Sequence, residues 1–329
     1  MFHPDDDPLI VITGAAGFIG SGVVRHLNDQ GYSNLALVDE ADPGVKERNL
    51  FGKQWVDLIP KEELFGYLEG REGDIGAIIH LGACADTLEQ NQAYLLENNT
   101  HFSIRLAEYA LRHGQRFIYA SSAATYGDGS LGFSDDHQQL EALRPLNPYG
   151  DSKHLFDLWA KSQGVLDRIT GIKYFNVFGP NEDHKGRMAS MIYKMFPIAR
   201  EEGVVRLFKS SEPEKYAHGQ QKRDFIYVKD AARLTCDFLN SGLTGIFNLG
   251  RGEAVPWNRV AQALFKALNK TPNIQYIEMP EALATQYQNY TCADMRKLFK
   301  EGKEHLFQYT LEEAVIDYVR NYLMKGETW

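Results

Sequence analysis

The chain has 329 residues, enough for one large domain or two moderate ones around a sizeable core. Apolar residues make up 43% and charged residues 24%, an ordinary balance for a soluble globular protein. A net charge of −9 argues against nucleic acid as a partner, and no stretch has the apolar length needed to insert in a membrane.

The first eight residues are acidic and lack the basic segment and apolar run of a secretory leader, so a cytoplasmic protein is expected. Cys84, Cys236 and Cys292 are odd in number and widely spread. Without metal-ligand or redox spacing they read as free thiols, and no metal site is expected.

In chain order, the run Leu9-Ile10-Val11-Ile12 predicts a buried strand, followed by a turn over 13–20 and a helix over 18–28. Gly14, Gly17 and Gly20 fall at the spacing G-x-x-G-x-x-G. The first permits a tight turn, the second lets the backbone approach a pyrophosphate, and the third lets helix and strand pack closely. A second strand, 35–39, ends in Asp39, about 19 residues beyond Gly20 and near the spacing of an acid that holds an adenosine ribose. A carboxylate there favours NAD, whereas the nearby Lys46, Arg48, Lys53 and Lys61 would suit a further phosphate. This stretch leaves both open.

A helix over 61–70 and a strand over 77–83 follow, with His80 expected to be packed rather than catalytic. A long helical pattern, 91–113, stops at Gly114 and leads into a strand over 117–120 that ends in Ser121-Ser122. Strands alternating with helices indicate βαβ units, and hence a Rossmann-type, doubly wound parallel α/β sheet. Pro145 and Pro148 introduce another helix, and 172–177 reads as one strand. Beyond it the alternation weakens. Residues 181–223 read as irregular, with a loop over 209–222. Later elements are a strand at 245–249, a helix over 256–268, a strand at 274–277 and a last helix over 311–324. The expected division is a cofactor domain over 1–178, with parts of about 224–252 returning to it, and a smaller C-terminal substrate-binding lobe over 179–329.

Tyr149 and Lys153 lie one helical turn apart. A free phenol, with a pKa near ~10, removes an alcohol proton poorly at neutral pH. A neighbouring ammonium and a cationic nicotinamide ring favour the phenolate, and Ser122 can hydrogen-bond the reacting oxygen.

These residues, with Thr13–Gly20, Ser121–Gly127, Tyr174–Pro180 and Arg223–Val228, resemble the extended short-chain dehydrogenase/reductases over nearly the whole chain. Within that superfamily the chain is most similar to the ADP-heptose 6-epimerases, on Ser122–Gly127 and His184–Ser190. Sugar 4,6-dehydratases carry an Asp-Glu pair where Ala123 and Ala124 stand, and the acids that dehydration needs are absent. The resemblance implies oxidation at C6 of the sugar and re-reduction on the opposite face, for the core of lipopolysaccharide. It makes Tyr149 and Lys185 the two acid/base groups, supported by Ser122 and Lys153. It assigns Gly14, Gly17, Phe18, Ile19, Gly20, Asp39, Glu40, Lys46, Lys61, Leu81, Gly82, Ala83, Cys84, Asn98, Tyr149, Lys153, Val177 and Lys185 to the cofactor. Substrate would meet Ser122, Asn176, Arg187, Lys194, Phe208, Lys209, Ser210, Ser211, Arg223 and Tyr287, with Arg223 on its diphosphate. Members prefer NADP and form homo-oligomers, typically pentamers. Glu40 departs from the asparagine usual there and keeps NAD as the alternative. Another nucleotide-sugar epimerase, acting on C4 of a UDP-hexose, and a non-catalytic dinucleotide-binding scaffold are the competing readings.

Overall fold

All five residues of β1 (Leu9–Thr13) are buried, because the strand is covered on both faces, and so it reads as an unbroken apolar run. Ile10 and Ile12 pack on one side against Val23, Val24 and Leu27 of α1 (Phe18–Asp29). Leu9 and Val11 pack on the other against Phe102, Leu106 and Ala110 of a later helix. The computed structural model describes residues 3, 6–40, 45–280 and 288–329.

The remaining strands are β2 (Leu35–Asp39), β3 (Asp57–Pro60), β4 (Ile75–His80), β5 (Arg116–Ser122), β6 (Ile169–Tyr174), β7 (Asn176–Phe178), β8 (Val205–Phe208), β9 (Lys222–Tyr227), β10 (Gly245–Leu249), β11 (Ala254–Pro256) and β12 (Ile274–Ile277). The helices after α1 are α2 (Leu64–Leu68), α3 (Gln92–Leu95), α4 (Phe102–His113), α5 (Pro148–Ser162), α6 (Met191–Glu201), α7 (Val228–Ser241), α8 (Trp257–Ala267), α9 (Arg296–Lys300) and α10 (Leu311–Asp317).

Seven strands form one parallel sheet in the order β10-β6-β5-β4-β1-β2-β3, with helices on both faces. The chain runs outward from β1 through β2 to β3, then crosses to the far side of β1 to lay down β4. The carboxyl ends of β1 and β4 therefore flank the point where the order reverses, which is where such sheets hold ligands. The doubly wound sheet is as the sequence predicts.

The second half departs from expectation in two places. Residues 172–177 are not one strand. Tyr174 pairs with Ser122 and Leu249 in the large sheet, whereas Asn176 pairs with Phe225 in a three-stranded sheet, β11-β9-β7. Phe175, whose amide donates to Leu249 O at 3.0 Å, carries the chain from one sheet to the other. The backbone stays extended while its partner changes, and composition does not record that change.

Residues 181–223 are also more ordered than expected, since they contain α6 and β8 and end in β9. Pro197 lies inside α6, a position that normally breaks a helix. Helix α7, within the stretch around 224–252, lies against the large sheet, where Ala231, Ala232 and Leu234 join the α1 side of the core. A separate apolar cluster joins α6, α8 and α10 through Ile192, Met195, Val260, Leu264 and Val315.

Candidate active site

The turn after β1 depends on missing side chains. Gly14 has φ +67°, and a Cβ there would lie 2.7 Å from the Gly82 backbone. A Cβ on Gly20 would lie 2.0 Å from Gly14 O. The first amides of α1 receive no side-chain cap, so they face the crevice with the dipole's positive end. Gly20→Ala must force the turn open. The purified variant is expected to lose its bound dinucleotide, read as a fall in 260 nm relative to 280 nm absorbance.

Beyond the turn lies a cavity of about 470 Å³. Its wall contains Gly14, Gly17, Phe18, Ile19, Gly20, Asp39, Glu40, Lys46, Lys61, Leu81, Gly82, Ala83, Cys84, Asn98, Lys185 and Arg187, which the sequence had named from several distant segments. Asp39 is buried at the tip of β2, where it accepts from Ala16 N at 2.9 Å and from Lys46 Nζ at 3.1 Å. Lys61 donates to Asn98 Oδ1. Glycines where a side chain would collide, free helix amides and an acid at the second strand end fit a dinucleotide.

The far wall is held by a buried polar relay. Gly82 N donates to Thr13 Oγ1 at 3.0 Å, Thr13 pairs with His80 Nδ1 at 2.6 Å, and His80 Nε2 pairs with Ser103 Oγ at 2.8 Å. Burial drives His80 down to about 3, followed by the charges of Lys153 and Lys61, so the ring is a neutral structural link. Next to it the helical chain widens over Leu96–His101 before α4 begins. Asn99 there accepts from Cys84 N at 2.9 Å and donates to Cys84 O and Ser152 Oγ, each at 3.0 Å.

Asn147 caps α5 by accepting from Gly150 N at 2.8 Å, and Pro148 opens the helix. That start places Tyr149 beside Ser122, whose hydroxyl opposes the upward push that burial gives the phenol. One turn on, Lys153 is buried and donates to Ala120 O at 2.9 Å. Burial lowers it to about 8, with Asp157 pulling the other way. Asp157 is itself fully buried and accepts from Tyr119, Ser121 and Lys173 at 2.9, 2.8 and 2.6 Å. This network locks the end of β5 beneath Ser122. Removing one partner of such a pair costs about 3–5 kcal/mol.

Lys185 arrives from the loop between β7 and α6, and its ammonium lies 5.0 Å above the Phe18 ring. Burial lowers its pKa and the Glu182 carboxylate partly restores it. Arg187 pairs with Asp86 at 2.5 Å, and Lys194 Nζ donates to Arg187 O at 2.7 Å. Arg223 is buried on β9 and donates to Lys222 O at 2.9 Å. Asn176 Nδ2 donates to Asp224 O at 2.9 Å. Phe208 ends β8, Lys209 pairs with Glu278, and Ser210 N donates to His218 Nδ1 at 3.1 Å. Ser211 Oγ accepts from Asn289 at 3.4 Å. Val177 packs between the α1 side of the large sheet's core and the cluster that joins α6, α8 and α10. Ser122, Tyr149, Lys153, Asn176 and Val177 do not line the 470 Å³ cavity, nor do Lys194, Phe208, Lys209, Ser210, Ser211 and Arg223 from the second half of the chain. Tyr287 lies outside the described residues.

The sequence missed Asp86, Tyr94, His184 and Met188, all in the cavity wall, and Asn99 behind it. For Asn99 a signal exists: Asn98-Asn99-Thr100 is a run of weak helix formers inside a helical pattern. Among the described residues no group of three or more His, Cys, Asp or Glu is arranged to hold a metal, and no helix is long and apolar enough to cross a membrane.

A family model described as the NAD dependent epimerase/dehydratase family matches residues 10–250. A relative from Nitratidesulfovibrio vulgaris, named ADP-L-glycero-D-manno-heptose-6-epimerase, is 46% identical over 97% of this chain and 99% of its own. One of the same name from Pseudomonas aeruginosa is 40% identical over 94% of this chain and 98% of its own. A solved structure of a Helicobacter pylori protein with that name is similar with a TM-score of 0.79, covering 98% of each chain at 24% identity, a likeness of fold.

Proposed function

The chain belongs to the NAD dependent epimerase/dehydratase family, and from that premise we propose that it inverts C6 of ADP-D-glycero-D-manno-heptose to give ADP-L-glycero-D-manno-heptose. The product serves the core of lipopolysaccharide. A nicotinamide dinucleotide, when bound, accepts hydride from the sugar and returns it. The residues do the rest. Tyr149, with Ser122 and Lys153 beside it, holds and moves the hydroxyl proton in one orientation of the sugar. Lys185 does so in the other. The observation that carries this reading is the second lysine, set over Phe18 in the same cavity as the glycine turn. A substrate panel tests it: conversion of the ADP-heptose with none of UDP-glucose supports the reading, and the reverse overturns it.

The substrate is to be held by Asn176, Arg187, Lys194, the 208–211 segment, Arg223 and Tyr287, with the guanidinium of Arg223 on the diphosphate, which its fork suits. The cofactor lobe spans residues 1–178 with the returning stretch around 224–252, and the substrate lobe is mainly 179–329. The cofactor is NADP. Lys46 is the cation that supports this, because it already neutralises Asp39 where the adenosine ribose would sit and can turn to a 2′-phosphate. Denatured enzyme is expected to release NADP, and Lys46→Ala to weaken NADP binding about 10- to 100-fold with little effect on NAD. Release of NAD alone overturns the choice. A cytoplasmic homo-oligomer, a pentamer by family likeness, is the expected form, and light scattering of the purified protein measures the assembly.

A further inference from the structure

Glu182 has no place in the chemistry just described, yet its surroundings are unusual. It is 1% exposed, and its carboxylate accepts from Gly179 N at 3.2 Å, Ser190 N at 2.5 Å and Ser190 Oγ at 2.7 Å. Tyr318 lies beside it. Its own carbonyl accepts from Lys185 N at 3.0 Å. One side chain therefore ties both ends of the 179–190 segment together.

The segment needs that anchor. Its middle, Gly186, has φ +50° and ψ −115°, so the helical turn around Lys185 is broken immediately after it. None of the six residues Asp183–Met188 is fully buried, so packing alone fixes the turn weakly. Ser190 in turn caps α6, accepting from Tyr193 N at 3.2 Å while it donates to Glu182. Burial raises the Glu182 carboxyl, its hydrogen bonds counter that, and Lys185 is the cation that adds to them. A buried carboxylate with three donors around it is an expensive device unless the geometry it fixes is used.

We propose that Glu182 is the positioning residue for Lys185: it pins the 179–190 segment so that the ammonium stays over Phe18 in reach of the sugar. This rests on the reading of Lys185 as an acid/base group. Displacing a catalytic group by about 1 Å can cost on the order of 10²-fold, so Glu182→Gln is expected to lower kcat about 10- to 100-fold. Of the substrate contacts only Arg187 lies within the segment, so KM should change less than kcat, and the dinucleotide should remain bound.

The test is a double-mutant cycle with Lys185→Met. If Glu182 acts through Lys185, adding Glu182→Gln to Lys185→Met lowers kcat no further. A purely structural role predicts losses that multiply and a lower melting temperature in both backgrounds. Multiplying losses, or an unchanged kcat in Glu182→Gln alone, overturns the proposal. Should Glu182→Gln fail to fold, Ser190→Ala removes one donor to the same carboxylate. It is expected to give a smaller loss that likewise vanishes in the Lys185→Met background. If instead Lys185→Met is fully active, the reading of Lys185 itself has failed, a result separate from the failure of Glu182.

Discussion

Tyr149→Phe is expected to slow interconversion of the two C6 epimers by about 10³-fold, within the range that a positioned general acid or base contributes. Only the phenolic oxygen is lost, so the helix start, the Asn147 cap and Lys153 remain. The variant should fold, keep its dinucleotide and bind the nucleotide-sugar with unchanged affinity. The size of the effect follows from how poor a base the phenol is on its own. Burial pushes Tyr149 up from its ordinary value and the Ser122 hydroxyl opposes this only in part. The phenolate therefore needs the Lys153 ammonium, held at Ala120 O, and positive charge on the nicotinamide ring. Steady-state rates with either epimer measure the loss. A variant retaining a tenth or more of wild-type activity would remove Tyr149 from the chemistry.

Lys185→Met is expected to cost about 10²- to 10³-fold, and to do so equally in the two directions, because no enzyme variant can move the equilibrium. Methionine keeps most of the length of the side chain and its contact with Phe18 while removing the charge and the transferable proton. The two single variants should differ in a telling way. With Tyr149 intact and Lys185 gone, one epimer can still be oxidised, and near-ultraviolet absorbance of reduced nicotinamide appears with that epimer alone. With Tyr149→Phe the other epimer gives the signal. A non-catalytic scaffold gives it with neither. A 4-epimerase that relies on a different second group would leave Lys185→Met active.

The two halves of the chain differ in how much of them the sequence discloses. β1, β2, β4 and β5 lie in a sheet covered on both sides, so each is a short apolar run, and the glycine turn carries its own steric reason in Gly14 and Gly20. In the second half the small sheets form by distant pairing: β8 with β12, and β9 with both β7 and β11. Local periodicity cannot name such partners, which is why α6, β8 and the break at Phe175 were hidden.

The site divides in the same way. Gly14, Gly17, Gly20, Asp39 and the Tyr149–Lys153 pair follow from turn geometry and helical spacing. Asn98 and Lys185 came from family resemblance alone, and Lys46 and Lys61 stood out only as cations near Asp39, since a lysine in a loop is ordinarily just solvated. Glu182 gave no signal at all. Nothing in the letters Pro180-Asn181-Glu182-Asp183 distinguishes a surface acid from one that is 1% exposed beneath a serine and a tyrosine.

The central claim is that C6 is inverted by removing and returning the same hydride, through a dinucleotide the protein retains. It is tested most directly by proton NMR of the purified enzyme with ADP-D-glycero-D-manno-heptose in D₂O, with no dinucleotide added. The account predicts that the 6-epimer appears with its C6 hydrogen still protium. Deuterium at C6 would mean that the carbon exchanges with solvent, and failure to form the epimer even after NADP and then NAD are supplied would mean that this sugar is not the substrate. Either result would contradict the account.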